Sequence, residues 1–257
     1  NENGLIEEVA ANVPRLDYSD GGCPSLLLEP TSTNLITYSE DFSNASWAKS
    51  NSSISSNSLI SPDGTLNADK IVESATTSTH WIRESTTVVN GKITFSIFAK
   101  KGERDYILIR ENTLGGVYFN LSNGTIGSTF GTPDSYKIEA FKDGWYKCSV
   151  TLTVSNAPAD FLIYTAIVDN SNNYLGDGTS GLYIYGAQLE QKSYATSYIK
   201  TVGTTQTRSA DTAYGAGNAS TFNDSEGVLM VEISSDNTDV GWIGLGSNSA
   251  NRILLGG

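Results

Sequence analysis

The chain has 257 residues, 38% of them hydrophobic, with 25 Gly and with Tyr as the dominant aromatic at 13 against 8 Phe and 4 Trp. That usage favours an all-β protein with many turns. A formal net charge of −12 argues against nucleic-acid binding, which needs clustered Lys and Arg. No run of ~18 apolar residues predicts a membrane span.

Residues 1–33 read as an irregular leader, with Pro14, Pro24 and Pro30 interrupting regular structure and one weak helical patch from Leu5 to Ala11. Six Asx-Gly pairs then mark tight turns: Asn3-Gly4, Asp63-Gly64, Asn90-Gly91, Asn123-Gly124, Asp143-Gly144 and Asp177-Gly178. Between them lie alternating runs. Ile93, Phe95 and Ile97 share one face, as do Val117, Phe119 and Leu121. Tyr146, Cys148, Val150, Leu152 and Val154 form the longest such run, and Phe161 to Val168 is apolar on both faces, as in a central strand. The inward set predicted is Phe95, Ile97, Phe119, Tyr146, Val150 and Ile184. The stretch GLYIYGAQLEQKSYATSYI, Gly181 to Ile199, reads as a closing strand followed by a polar tail that runs off the sheet.

Residues 34–200 are the predicted sandwich and 201–224 a Thr-, Ser-, Gly- and Ala-rich linker. Residues 225–257 hold three candidate strands, at Val228–Ile233, Val240–Leu245 and Arg252–Leu255. They are too few to close a core alone. The missing initial Met and the strand-rich end suggest a piece of something longer. Cys23 and Cys148 make no disulfide framework, and both are expected reduced.

Catalytic signals are sparse. His80 is the only histidine, and no Gly-x-Ser-x-Gly elbow accompanies it. The acids cluster in turns, where Asx-turn bonding accounts for them. The expectation is a protein that is not an enzyme. Sugar binding needs aromatic planes for C–H faces and planar partners such as Arg and Asn for hydroxyls. Strand alternation aims several such groups away from the core. Trp81 and Arg83 share a face if Ile82 points inward. Tyr106 and Arg110 oppose Ile107 and Ile109. Tyr118 and Asn120 oppose Phe119 and Leu121, and Tyr183 and Tyr185 oppose Leu182 and Ile184. The carbohydrate-binding candidates are therefore Trp81, Arg83, Tyr106, Arg110, Tyr118 and Tyr185. The same rings could instead pack on a neighbouring subunit, on the leader, or simply cover the sheet.

An ordered set of segments carries a resemblance: Asn34-Leu-Ile-x-Tyr-Ser-Glu-Asp-Phe with Trp47, Ser61-Pro-Asp-Gly-Thr, Thr94-Phe-Ser-Ile-Phe-Ala-Lys, Tyr118-Phe-Asn-Leu-Ser-Asn-Gly-Thr, Gly144-Trp-Tyr-Lys-Cys, and the closing strand. Residues 34–199 resemble carbohydrate-binding-type jelly-roll modules. With the Pro24-Ser-Leu-Leu-Leu-Glu-Pro lead-in they are most similar to modules of bacteriophage head-spike and tail-fibre proteins. The Val228 segment resembles the start of a concanavalin-like domain. The resemblance implies an antiparallel jelly-roll β-sandwich on a virion surface. Its implied partners are a host surface polysaccharide and other virion proteins, and its implied assembly a homotrimer or a filament-like array. A purely structural capsid or tail decoration, or the binding module of a secreted polysaccharide-degrading enzyme, are the alternatives. No cofactor is expected. Relatives attached to enzymes often close on paired acids near a structural calcium, and here the strand departs from that pattern, with Glu190 as its only acid.

Overall fold

The computed structural model describes residues 1–18, 24–155, 157–212, 243–245 and 253–255. The chain divides into two units, Asn1–Thr212 and Ala213–Gly257. The first holds β1 (Leu16–Asp17), β2 (Ser25–Leu26), β3 (Ser32–Asn34), β4 (Ala48–Ser50), β5 (Ser52–Ile60) and β6 (Leu66–Glu73). It continues with β7 (Thr77–Thr79), β8 (Trp81–Val88), β9 (Gly91–Lys101), β10 (Tyr106–Glu111), β11 (Gly115–Asn120) and β12 (Thr125–Gly131). β13 (Ser135–Ala140), β14 (Tyr146–Val154), β15 (Ala157–Ala166), β16 (Asn173–Leu175), β17 (Gly181–Glu190) and β18 (Gln206–Arg208) complete it. In the second unit, β19 (Ile243–Leu245) pairs antiparallel with β20 (Ile253–Leu255). The candidate strand Val228–Ile233 and Cys23 lie outside the described residues.

Two six-stranded antiparallel sheets face each other as a jelly-roll sandwich. One has the order β12-β11-β10-β15-β8-β4 and the other β13-β14-β9-β17-β6-β5. The alternating runs supply the layer between them. Ile93, Phe95 and Ile97 of β9 lie opposite Leu152, Val150 and Cys148 of β14. They meet Ile107, Ile109, Val117, Phe119, Phe161 and Ile163 from the other sheet in one buried cluster. Five of the six expected inward residues are buried; Tyr146 packs partly buried against the same cluster. Burial in an apolar layer pushes the Cys148 thiol up. All six glycines of the Asx-Gly pairs adopt positive φ, from +70° at Gly124 to +132° at Gly91, the region a Cβ disfavours.

The closing strand β17 carries a bulge. Its register against β9 shifts between Tyr185 and Gln188, and Gly186 there has φ +63°. One extra residue flips the parity. Leu182 and Ile184 face the core before it, Ala187 and Leu189 after it. Asn34 covers the disrupted ladder: its Nδ2 donates to the Ala187 (3.1 Å) and Ile199 (2.8 Å) carbonyls. Its Oδ1 accepts from the Ile36 and Leu189 N–H groups, each at 3.1 Å. The Asn34–Trp47 segment then plugs the sandwich edge, with Phe42 and Trp47 buried, rings 5.0 Å apart.

Two expectations are overturned. The Leu5–Ala11 patch is irregular rather than helical; its Ile6 N–H donates to Pro62 O at 2.9 Å and its side chain packs beside Ala68, Phe98 and Trp145. The tail after Glu190 does not run off the sheet. Thr196 N donates to Glu190 at 2.9 Å, Ile199 N to Gln188 Oε1 at 2.6 Å, and the buried Lys147 ammonium to Thr196 O at 2.8 Å. The tail therefore lies back over the outer face of the second sheet, because Gln188, Glu190 and Lys147 need buried partners there. Further on, β18, inside the stretch read as linker, pairs with leader strand β3.

Asp69 of β6 is buried and accepts the Phe42 (3.2 Å) and Asn57 (3.0 Å) N–H groups. Burial dominates these bonds and pushes its carboxyl up to about 6. A carboxyl raised on folding holds its proton more tightly in the native state, so its contribution grows as pH falls from about 6 towards 4 and is lost as pH rises through 6. Asp69→Asn removes this titration. Urea unfolding at pH 4.5, 5.5 and 7 should show wild type gaining on the variant as pH falls. A difference that stays constant with pH refutes the assignment.

Candidate functional site

The outer face of the β12-β11-β10-β15-β8-β4 sheet gathers aromatic and arginine side chains from successive strands. Ile82, Ile107, Ile109, Val117, Phe119, Phe161 and Ile163 are buried in the core, so their sequence neighbours point the other way. The register sets these into rows. Across the middle run Trp81, Tyr164, Leu108 and Tyr118, each the direct partner of the next. Two residues along run Arg83, Leu162, Arg110, Gly116 and Phe130. On the other side lie Ala166, Tyr106 and Asn120.

Contacts within the rows hold the groups in place. The Trp81 and Tyr164 rings are 6.3 Å apart and tilted. The Arg83 guanidinium sits 5.8 Å from the Trp81 ring centre, and its Nη1 donates to Asp160 at 3.1 Å, while its buried Nε has no hydrogen-bond partner. Asn120 Nδ2 donates to the Tyr106 hydroxyl at 2.9 Å. Arg110 stacks on Phe130 at 3.8 Å and donates to the Asn112 carbonyl. Gly116 is required here, because a Cβ at this position would run into Arg110. At the β12 edge, Asp169 accepts the Ser128 N–H and hydroxyl, both at 2.8 Å. Burial pushes the Tyr118 and Tyr164 phenols up. Neither phenol hydroxyl makes a hydrogen bond among the described residues. The face thus offers a patch of ring surface with uncommitted polar groups around it.

Five of the six sequence candidates, Trp81, Arg83, Tyr106, Arg110 and Tyr118, fall on this one face. Their accessibility differs. Trp81, Arg83, Tyr106 and Arg110 are half-buried, but Tyr118 is only 4% exposed. It packs between Leu108 and the β12 edge and presents little ring plane, contrary to the expectation of an open stacking surface. Tyr185 is a second correction. It lies in the other sheet at 2% exposure, beneath the returning tail, beside Phe98 and 5.5 Å from the Tyr198 ring. Its hydroxyl is 3.0 Å from both Glu40 and Asp63. Strand parity set its direction correctly; the tail covers it. Tyr164, Leu162 and Phe130 belong to the face and were not singled out. Tyr164 and Leu162 hid in a run apolar on both sides, although they alternate with Phe161 and Ile163. Phe130 follows a register shift in β11–β12 pairing that breaks the period.

Other polar candidates are structural. His80 is buried, with Nδ1 2.6 Å from Asn51 O and Nε2 3.3 Å from Tyr174 O. Glu190 is buried and accepts from Ser32 Oγ at 2.5 Å and from Thr196, so its carboxylate is committed to β3 and the tail. Among the described residues no group of three His, Cys, Asp or Glu is placed to hold a metal ion.

No protein-family model matches the chain, and no curated protein sequence matches it significantly. Among solved structures it is similar to the CBM22-1–GH10 modules of Clostridium thermocellum endo-1,4-beta-D-xylanase 10B, complexed with xylohexaose, at 10% identity and TM-score 0.37, over 65% of this chain and 30% of that one. It thus spans under a third of that xylanase chain's length. It is also similar to TmCBM27, a carbohydrate-binding module with specific mannan recognition, at 10% identity and TM-score 0.34, over 65% of this chain and 98% of that one. A third likeness is to the C-terminal CBM6 of LamC from Zobellia galactanivorans, at 11% identity and TM-score 0.31, over 63% and 99%.

Proposed function

We propose that the chain is a non-catalytic carbohydrate-binding module whose site is the outer face of the β8-β15-β10-β11 strands. The observation that carries this is the row structure: β8, β10 and β11, with β15 between β8 and β10, bring Trp81, Arg83, Tyr106, Arg110 and Asn120 to one face. Half-buried rings take sugar C–H faces, and Arg and Asn take hydroxyls. A shallow, one-sided site of this kind supports micromolar to millimolar affinity, ~4–8 kcal/mol. The setting proposed is a virion fibre or spike, as the ordered sequence motifs imply, with trimeric display adding avidity on the order of 10²–10⁴. The same face serves equally in a module attached to a polysaccharide-degrading enzyme.

A glycan array followed by titration tests the reading. Trp81→Ala and Tyr106→Ala should each weaken binding about 10- to 100-fold, on the scale of aromatic hot spots, with melting temperature nearly unchanged because both rings are half-exposed. An array with no ligand, or variants that bind as wild type, favours the structural-decoration alternative. Release of reducing ends from a bound polysaccharide restores an enzyme reading.

A further inference from the structure

Resting on that reading, we infer that the glycan bound is acidic, and that Arg110 receives a uronate carboxylate. The chain has 28 acids against 16 Lys and Arg, so its cations find acidic partners easily. Of the five arginines among the described residues, four do. Arg15 pairs with Glu29 and Asp211, Arg83 with Asp160, Arg104 with Glu73, and Arg208 with Glu29. Arg110 alone among them has no carboxylate partner, and it is the one at the centre of the platform.

Its position is nevertheless held. One guanidinium face lies on Phe130, Nη2 donates to Asn112 O, and Nε reaches Glu111 O at 3.4 Å. Nη1 has no protein partner among the described residues. Gly116 clears the space over which the side chain crosses. The nearby acids are engaged elsewhere. Asp160 is bound by Arg83 and Ser85, and Asp169 by Ser128. Glu111, buried on the opposite face, caps the β10–β11 turn through the Thr113 and Leu114 N–H groups. Tyr118 and Tyr164 flank Arg110 diagonally on the neighbouring strands, with hydroxyls free to donate. A preset guanidinium with an uncommitted edge, bordered by two phenols, fits a carboxylate better than a neutral hydroxyl.

The experiment compares alginate and polygalacturonate with the same polymers after chemical reduction of their carboxyl groups, beside neutral glycans. Titrations run at low and high NaCl with wild type, Arg110→Gln and Arg110→Lys, each checked for unchanged melting. At least one polyuronate should bind about 10- to 100-fold more tightly than its reduced form, the range of a charge-assisted hydrogen bond. The preference should shrink in high salt, vanish in Arg110→Gln and survive only partly in Arg110→Lys, which keeps the charge but not the fork. Equal affinity for polymer and reduced form, or a preference retained by Arg110→Gln, overturns the inference. Neutral glycans bound through Trp81 without any acid preference overturn it while leaving the carbohydrate-binding reading intact. Binding to no glycan of either kind overturns both.

Discussion

Arg104→Met should destabilise the sandwich by about 3–5 kcal/mol, the cost of stranding one half of a buried ion pair. Glu73 closes β6 with a side chain that has no solvent exposure. Its Oε2 accepts Arg104 Nε at 2.7 Å and the Tyr174 hydroxyl at 2.7 Å; its Oε1 accepts Asp177 N at 3.0 Å and a second Arg104 nitrogen. The cluster ties three segments together: the end of β6, the β9–β10 turn, and β16 with the turn that follows it. Burial by itself raises the Glu73 carboxyl, but the Arg104, Tyr174 and Asp177 bonds outweigh it and hold it below the usual range. A depressed carboxyl contributes stability above its unfolded value near 4.5 and loses it as pH falls through the folded value. The variant leaves Glu73 charged and undercompensated, so its deficit should be largest at pH 7 and shrink in acid. For a unit of this size the melting temperature should drop by roughly 6–20 °C. Denaturant unfolding at pH 7 and pH 4 measures both effects. A loss below about 1 kcal/mol at pH 7 means the pair behaves as a surface bridge.

Ile97→Ala should cost about 2–5 kcal/mol, through a different mechanism. Ile97 lies at the centre of β9, opposite Cys148 on one side. On the other side the β17 bulge places Gly186 and Ala187 against it, between the Phe98–Tyr185 and Ser96–Gln188 pairs. Those neighbours are too small to fill the space left behind, and Asn34 pins the bulge so that it cannot close inward. The cavity therefore persists. Glycan affinity should be unchanged in the folded fraction, because Ile97 belongs to the sheet that does not carry the platform. Trp81→Ala should behave in the opposite way. If Ile97→Ala proves neutral, the layer between the sheets is looser than its burial indicates.

What the sequence settled by itself is local. A period of two residues dictates which side chains share a face, so Ile107 and Ile109 faced the core and Tyr106 and Arg110 faced away without further information. The Asx-Gly pairs required positive φ at six turns, and all six have it. The tertiary structure decided everything that depends on residues far apart in the chain. Strand order β8-β15-β10-β11 is not encoded in any one strand's alternation, yet it alone sets Trp81, Tyr164, Leu108 and Tyr118 side by side. Parity gives a direction but not a cover. Tyr185 and Tyr106 carry the same pattern, and the segments laid over the second sheet, Ile6 of the leader and Tyr198 of the returning tail among them, bury one while the other stays half-open. That return is driven by buried Gln188, Glu190 and Lys147, whose partners in the tail lie in residues 196–199. Such partners follow from the unsatisfied groups of a finished sheet, which exist only once its strands have paired.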